Sequence, residues 1–240
     1  MKDRVHVGII GAGRIGALHA AHLATRIPEA KVVAISDIRY EAAARCASAL
    51  AIPEAYETPD PVLTHPGIDA VLICSSTDTH ADLVERAATA GKQIFCEKPI
   101  DLDLGRVDRV LEAVDRASVK MMVGFNRRFD HNFRRVRELV QAGAVGIPHM
   151  LHIVSRDPAP PPPEYVKVSG GIFLDMTIHD FDMARFLIDS EVEEIYVEGG
   201  VMVDPDIGAA GDIDTAVIVM RFANGVIGTI DNSRKAVYGY

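Results

Sequence analysis

The feature that most constrains the fold is a glycine-rich turn close to the start of the chain. The apolar run from Val5 to Ile10 predicts a buried strand and leads directly into Gly11-x-Gly13-x-x-Gly16. The alanine-rich residues 17–26 that follow predict a helix. A strand, a tight turn and a helix start in this order favour a dinucleotide-binding site.

Each residue of this turn has a predicted task. Gly11 lets the chain turn, Gly13 lets the backbone approach a pyrophosphate, and Gly16 lets the helix lie close to its strand. The free N–H groups at the helix start, around Arg14 and Ile15, and the positive end of the helix dipole then face the phosphates.

A carboxylate follows the second predicted strand, residues 31–36. This residue, Asp37, lies 21 positions after Gly16. A carboxylate there can accept both hydroxyl groups of an adenosine ribose and would repel a 2′-phosphate, so the sequence favours NAD over NADP. Two alternatives stay open: Arg39 could accommodate the extra phosphate, or Asp37 could simply cap the next helix.

Strands and helices then alternate along the first half of the chain. Predicted helices cover residues 40–50, 81–90 and 104–117, predicted strands cover 68–74, 93–96 and 120–125, and residues 59–66 are interpreted as a connection. This alternation predicts an α/β fold with a doubly wound parallel sheet, a Rossmann domain over residues 1–123. Because ligands bind beyond the carboxyl ends of such strands, the cofactor cleft is predicted to include Ser75, His80, Glu97 and Lys98.

The pattern changes after residue 123. A helix to about residue 142, a strand over 146–154, a proline-rich surface loop over 158–163 and a helix over 173–188 precede three strands, at 192–203, 213–222 and 226–233. Consecutive strands joined by a short loop predict a mainly antiparallel sheet. Residues 124–240 are therefore interpreted as a separate α+β domain for substrate binding and oligomerisation.

One strand of this second domain indicates a partner. Both alternate sets of side chains in residues 213–222 include large apolar residues, so both faces of the strand require cover. A helix of the same domain can cover one face. We therefore predict a homo-oligomer that packs through the other face.

Composition argues against several other classes of protein. With 48% apolar residues, 25% charged residues and a net charge of -9, the chain is typical of a soluble globular protein without general affinity for nucleic acid or anionic membranes. It has neither a bilayer-spanning apolar run nor a signal-peptide core, so we predict a cytoplasmic location. The basic residues 126–135 are interpreted as a solvated helix face, and an anionic partner is the alternative. Cys46, Cys74 and Cys96 suit neither a disulfide framework nor a metal site.

Two positions have the chemistry that a dehydrogenase needs. Lys98 stands at the carboxyl end of a strand, where a lysine can hydrogen-bond a substrate hydroxyl. Asp175 and His179, four residues apart on a predicted helix, share one face, so the histidine can take a hydroxyl proton while the carboxylate orients its ring. The alternatives are an ordinary surface lysine and an ordinary helix pair. Asp182 shares that face, but no fourth ligand is evident, and no metal is predicted.

Three sets of residues together resemble a known family. They are Gly11-x-Gly13-x-x-Gly16, then Glu97-Lys98-Pro99, then Gly170-Gly171-x-x-x-Asp175-x-x-x-His179-Asp180. This pattern is similar to the glucose-fructose oxidoreductase/inositol dehydrogenase family, and the stretches 124–130, 173–180 and 238–240 are similar to inositol 2-dehydrogenases within it. The resemblance covers essentially the whole chain.

The resemblance implies roles for individual residues. Lys98, Asp175 and His179 form the implied catalytic set, with His179 as the base. The residues implied to lie near a polyol substrate are Arg127, Asp157, Thr177, Tyr238 and Tyr240. A homotetramer is also implied. Since relatives usually continue past the point where this chain stops, we expect the second domain to be incomplete at its C-terminus.

The implied reaction is NAD-dependent oxidation of a ring hydroxyl of a cyclic polyol to the ketone. The leading substrate is myo-inositol, oxidised to 2-keto-myo-inositol (scyllo-inosose) in inositol catabolism. Oxidation of another sugar and reduction of a keto-inositol are alternatives within enzymes. A non-catalytic NAD-binding sensor is the alternative from a different class, although a sensor needs no acid–base set.

Overall fold

The computed structural model describes residues 4–236 of the 240-residue chain. The chain divides into two compact units, with the boundary between Gly124 and Phe125. The sequence places this boundary one residue earlier. Within the described residues, every helix is too short or too polar to cross a membrane.

The first unit is a parallel sheet with helices on both faces. Its elements are β1 Val5–Ile10, α1 Arg14–Thr25, β2 Ala30–Ser36, α2 Tyr40–Leu50, β3 Glu54–Tyr56, α3 Asp60–Thr64, β4 Ala70–Ile73, α4 Thr77–Thr89, β5 Gln93–Cys96, α5 Leu104–Ala117 and β6 Met121–Val123. The strand order is β3-β2-β1-β4-β5-β6, and all the pairs are parallel. This order confirms the predicted Rossmann fold, in which ligands bind beyond the strand ends where the order reverses, between β1 and β4.

The sheet is covered on both sides because its central strands are apolar on both sides. Val7 and Ile9 of β1 pack with α1 and α2, whose alanines permit a close approach. On the opposite face, Ile10 and Ile73 pack with α3, α4 and α5. Burial on both faces is the usual state of a fully parallel sheet.

The interpretation of residues 59–66 as a plain connection is wrong. Residues 60–64 form α3, because Val62 and Leu63 are apolar and are buried beneath the sheet. Val62 uses the space that Gly8 leaves open, since a Cβ on Gly8 would lie 2.4 Å from Val62 Cγ1.

The second unit is built on a four-stranded sheet. Its elements are a 3₁₀ turn Asn126–Phe129, α6 His131–Gln141, β7 Met150–Arg156, α7 Pro163–Ser169, a π turn Phe173–Thr177, α8 Ile178–Ile188, β8 Val192–Gly200, α9 Pro205–Ala209, β9 Thr215–Phe222 and β10 Ile227–Ser233. The strand order is β7-β10-β9-β8. The pair β7–β10 is parallel and the other two pairs are antiparallel, so the predicted mainly antiparallel sheet is confirmed.

One face of this sheet is buried beneath α8. Ile218, Met220 and Phe222 of β9 point inward and pack with Ala184 and Ile188 of α8. The side chains between them on β9 are exposed, so the strand has one covered and one uncovered face.

The segment 173–188 is not the single regular helix that the sequence predicts. A π turn over Phe173–Thr177 precedes α8. A π turn holds more residues than an α-helical turn, so a spacing of four residues no longer places Asp175 and His179 directly above one another.

The sequence predicted neither of the two short helices α7 and α9. The first begins where the predicted proline-rich loop ends, and the second lies between the predicted strands 192–203 and 213–222. Each begins with a proline, Pro163 or Pro205. Proline suits this position because the N–H that it lacks would have no partner within the helix. Each helix buries one large apolar side chain, Val166 or Ile207.

A buried carboxylate fixes the segment between β8 and β9. Asp214 is fully buried and accepts hydrogen bonds of 2.8–2.9 Å from the N–H groups of Met202, Val203 and Asp204 and from the Thr215 hydroxyl. Burial alone would raise the pKa of this carboxyl, but the four donors together lower the pKa below its ordinary value.

We predict that Asp214→Asn lowers the free energy of unfolding at pH 7 by about 1–3 kcal/mol, because the charged acceptor is lost. Since the folded-state pKa is lowered, the contribution of Asp214 is complete above its unfolded pKa and is lost as the pH falls through the folded value. In urea unfolding, the difference in the free energy of unfolding between the wild type and Asp214→Asn should therefore be constant above about pH 5. It should become smaller below about pH 4. The exposed Asp206→Asn is the control, and an equal loss in this variant would contradict the account.

Candidate active site

The glycine turn of the first unit depends on close backbone contacts. Gly11 has a φ of 99°, which favours glycine, and a Cβ on Gly16 would lie 1.9 Å from the Gly11 carbonyl oxygen. A Cβ on Gly13 would meet no described atom within 4 Å, although Gly13 is the N-cap residue of α1. Open space therefore borders the start of α1 at Arg14 and Ile15, where the sequence predicts a pyrophosphate.

Asp37 lies at the carboxyl end of β2 and bonds the glycine turn. Its Oδ2 accepts a hydrogen bond of 2.7 Å from the Ala12 N–H. Its Oδ1 accepts one of 2.9 Å from the N–H of Arg39, the N-cap residue of α2. A carboxylate has about four acceptor positions, so Asp37 retains capacity for two ribose hydroxyls. The Arg39 side chain is exposed, with Nε 3.8 Å from Asp37 Oδ1.

His80 joins two backbone segments. Its buried ring places Nδ1 2.7 Å from the Pro99 carbonyl oxygen and Nε2 3.1 Å from the Ser75 carbonyl oxygen. The Ser75 hydroxyl is half-buried and lies 2.7 Å from Thr79 Oγ1. These contacts favour a structural role for His80 over the predicted contact with a cofactor: it holds the strand ends that present Ser75 and Lys98.

Glu97 and Lys98 follow β5, and both are half-buried. Glu97 Oε1 lies 2.8 Å from His19 Nε2, and the peptide bond between Lys98 and the next residue is cis. Burial, with a smaller effect of Glu97, raises the pKa of the neighbouring Cys74 thiol to about 12. This thiol, which follows β4, is therefore protonated at neutral pH.

In the second unit, Asp175 is held from two sides. Its Oδ1 accepts a hydrogen bond of 2.9 Å from the Tyr165 hydroxyl, and its Oδ2 accepts one of 3.0 Å from Arg234 Nη1. Asp175 and His179 are both half-buried; Asp175 lies in the π turn and His179 in the first turn of α8. The carboxylate therefore has a fixed orientation about one turn from a histidine.

Arg234 contacts residues of the candidate site, although the sequence did not reveal it. Its side chain is only 2% exposed, and Nη1 lies 3.0 Å from Asp175 Oδ2 and 3.2 Å from Asp157 Oδ2. Arg234 Nη2 lies 3.9 Å from Asp212 Oδ2. One guanidinium group thus brings together Asp157 and Asp175, two predicted site residues that come from different elements.

A second network surrounds Thr177 and Arg127. The Thr177 hydroxyl donates to Asn232 Oδ1 at 2.5 Å, and Asn232 Nδ2 donates to Asp180 Oδ2 at 2.9 Å. The other oxygen of Asp180 forms an ion pair with Arg127. Thr177, Asp180 and Asn232 are fully buried, which favours a structural role for Thr177, whereas Arg127 keeps 23% of its side chain exposed.

The remaining predicted residues have different outcomes. The interpretation of residues 126–135 as a solvated face is wrong in part, because Arg128 forms a bidentate ion pair with the buried Asp182.

Tyr238 and Tyr240 lie outside the described residues. Across residues 4–236, no group of three or more His, Cys, Asp or Glu side chains is placed to hold a metal ion.

A Rossmann unit followed by a unit on a mainly antiparallel sheet is the architecture of a class of two-domain oxidoreductases. Residues 5–125 match the family model described as oxidoreductase family, NAD-binding Rossmann fold, and residues 133–240 match the GFO/IDH/MocA C-terminal domain. The chain belongs to this GFO/IDH/MocA oxidoreductase family, which confirms the resemblance found in the sequence.

Known relatives are similar along nearly the whole chain. The myo-inositol 2-dehydrogenase of Thermotoga maritima is 53% identical over 98% of this chain and 70% of its own length. The inositol 2-dehydrogenase of Rhizobium meliloti is 49% identical over 98% of this chain and 71% of its own length. The structure of scyllo-inositol dehydrogenase from Lactobacillus casei with bound NAD(H) and scyllo-inositol has a TM-score of 0.90 and 32% identity, and covers 99% of this chain and 72% of that chain.

Substitution of Gly13 and of Gly16 should have opposite effects on stability and NAD binding. Gly13→Ala should leave the melting temperature within about 2 °C, because its Cβ enters open space, but should weaken NAD binding about tenfold or more, because the methyl occupies the approach to the helix start. Gly16→Ala should destabilise the first unit by several kcal/mol, on the order of 3, because its Cβ collides with backbone.

Thermal unfolding and isothermal titration with NAD measure the two effects. Unchanged NAD affinity in folded Gly13→Ala would contradict the assignment of this space to the pyrophosphate.

Proposed function

We propose that this protein is an NAD-dependent dehydrogenase that oxidises a ring hydroxyl of a cyclic polyol, with myo-inositol oxidised to scyllo-inosose as the leading reaction. The observation that carries the proposal is the fixed carboxylate of Asp175 close in the chain to His179, in a family whose first domain binds NAD. The names of the relatives from Thermotoga maritima and Rhizobium meliloti support inositol as the substrate.

The first unit has the groups to hold NAD. Open space lies beside Gly13 at the start of α1, where the N–H groups of the helix would bind the pyrophosphate, and Asp37 would bind the adenosine ribose. Ser75 and Glu97 would line the remainder of the cleft, beyond the ends of β4 and β5. When bound, the nicotinamide supplies the acceptor for the hydride that leaves the substrate carbon.

The protein side chains handle the proton. As the carbon loses hydride, its hydroxyl oxygen must release a proton, and we assign that proton to the imidazole of His179. Asp175 stabilises the imidazolium that forms, because its negative charge lies close to the new positive charge. Lys98 donates a hydrogen bond to the reacting oxygen. The products are the ketone, reduced NAD and one proton, so the reaction balances.

Polar side chains of the second unit would select the ring. Arg127 and Asp157 both remain partly exposed and can donate to or accept from hydroxyls that do not react. Contacts of this kind determine which ring carbon is presented for oxidation. Tyr238 and Tyr240 keep the substrate roles that the family resemblance implies for them.

We also propose that the second unit mediates self-association through the uncovered face of its sheet. Val217 and Val219 of β9 are 48% and 40% exposed on this face, and Ile227 of β10 is 48% exposed beside them. A second copy would bury these side chains. A tetramer, a cytoplasmic location and a role in inositol catabolism stay predictions from the sequence and the family.

The reaction can be tested with a panel of polyols. With NAD and myo-inositol, the absorbance of reduced nicotinamide should increase as NADH forms. The panel should also include scyllo-inositol and glucose with NAD, and a keto-inositol with NADH. Lys98→Ala and His179→Ala should each lower kcat about a thousandfold or more, because each removes a group that acts on the reacting oxygen.

The exposed Lys120→Ala and His131→Ala are the matched controls and should retain full activity. NAD binding without turnover of any polyol would favour the sensor. Full activity of both site variants would contradict the proposed chemistry.

Self-association can be tested separately. The protein should scatter light as an oligomer at micromolar concentration, and Val219→Glu should shift it toward the monomer, because a buried unpaired charge opposes association. Ile147→Glu, at a residue that is 84% exposed and outside this sheet, is the control. A monomeric protein would contradict the proposed use of this face.

A further inference from the structure

Arg234 is a buried cation among carboxylates. It follows β10, and its side chain is only 2% exposed. Three carboxylates face it from other parts of the second unit: Asp157 after β7, Asp175 in the π turn and Asp212 before β9. Among the described residues, Arg234 Nε and Nη2 have no hydrogen-bond partner. The side-chain hydrogen bonds of Arg234 to these residues are therefore made by Nη1, to Asp157 and to Asp175.

A buried guanidinium requires compensation by negative charge nearby. The carboxylates around Arg234 together have more negative charge than one guanidinium requires. Three carboxylates around one cation leave the cluster net negative when all are ionised. If Arg234 were absent, mutual repulsion would push Asp157 and Asp175 apart. The planar guanidinium can bridge two carboxylates from one fixed position, which a lysine ammonium on a flexible stem cannot reproduce.

We propose that Arg234 is a positioning residue for the oxidation, because its Nη1 is shared between Asp157 and Asp175 and fixes the substrate-binding and the catalytic carboxylate in one arrangement. This proposal rests on the proposed function. Arg234 acts through Asp175 and Asp157. It holds Asp175 oriented for the imidazolium of His179, and it sets the position of Asp157 relative to that carboxylate.

The charges around Asp175 determine the pH dependence. Tyr165 from α7 and Arg234 bond Asp175 directly, and Asp157 and Asp212 face the same guanidinium. His179 follows one turn further along the chain. Without Arg234 a positive charge is lost beside the Asp175–His179 pair, so the pair should take up its first proton at higher pH. When that proton is on the imidazole the base is blocked, so the acid limb of kcat/KM should move to higher pH.

The test compares Arg234→Met and Arg234→Lys in the whole chain, with myo-inositol and NAD. Arg234→Met should lower kcat/KM for the polyol about a hundredfold and move the acid limb up by roughly one pH unit. Arg234→Lys retains the charge but not the bridge, so it should lose about tenfold while its acid limb stays near that of the wild type. The KM for NAD should change less than about threefold in both variants.

A double-mutant cycle separates positioning from general destabilisation. Asp175→Asn should lower kcat/KM strongly, and adding Arg234→Met to it should cost about tenfold or less, well below the hundredfold loss in the wild type, because only the effect through Asp157 then remains. If Arg234→Met lowers kcat/KM by the same factor in the wild type and in Asp175→Asn, the proposal is overturned. Arg185→Met is the control, since Arg185 pairs with Glu191 on the surface of α8 and should leave activity unchanged.

The outcomes distinguish this proposal from the proposed function. A wild-type protein that binds NAD but oxidises no polyol overturns both. An active wild-type protein with folded Arg234→Met variants within about threefold of its kcat/KM overturns the role of Arg234 alone. If Arg234→Met does not fold, Arg234→Lys decides: a tenfold loss with an unchanged acid limb supports the bridge, and wild-type activity contradicts it.

Discussion

The first unit depends on the close contact between the start of α1 and the turn after β1. The Gly16 Cα lies so near the Gly11 carbonyl oxygen that a Cβ would be only 1.9 Å away. This contact lets α1 pack onto its strand and leaves open space at Gly13, next to the helix start. Asp37 then bonds the same turn through the Ala12 N–H, so the predicted phosphate and ribose contacts are supported by one piece of backbone.

The second unit depends on compensation of buried charge. Asp180 is fully buried and is bonded by Arg127 and Asn232, and Arg234 is almost fully buried and is bonded to Asp157 and Asp175. Removing one partner from such a pair leaves a buried charge without compensation, which is strongly unfavourable. The polar groups beside His179 are therefore held in place by the interior of the domain.

Local pattern was sufficient for most elements of the first unit, with the exception of β3 and α3, and for its glycine turn. The predicted segments 40–50, 93–96 and 104–117 coincide with α2, β5 and α5, because alanine content, apolar runs and flanking turn residues act over short distances. The helix α3 escaped detection because Val62 is held there by the space at Gly8, a contact distant in the sequence.

Other features depend on tertiary packing, and local sequence patterns do not predict them. The parallel pairing of β7 with β10 joins strands separated by most of the domain. The π turn alters the relation between Asp175 and His179 that regular helix geometry suggested. Asn232 and Arg234 lie at the end of a strand and just beyond it, and only their burial against carboxylates marks them as part of the candidate site.

The central claim is that a ring carbon of a cyclic polyol loses hydride to NAD. The most direct measurement uses myo-inositol deuterated at the carbon that is oxidised, with NAD and the wild-type protein, followed by mass spectrometry of the reduced nicotinamide. The account predicts that the NADH formed contains the deuterium and that turnover is slower than with ordinary myo-inositol. Formation of NADH without deuterium, or binding of NAD with no NADH formed, would contradict it.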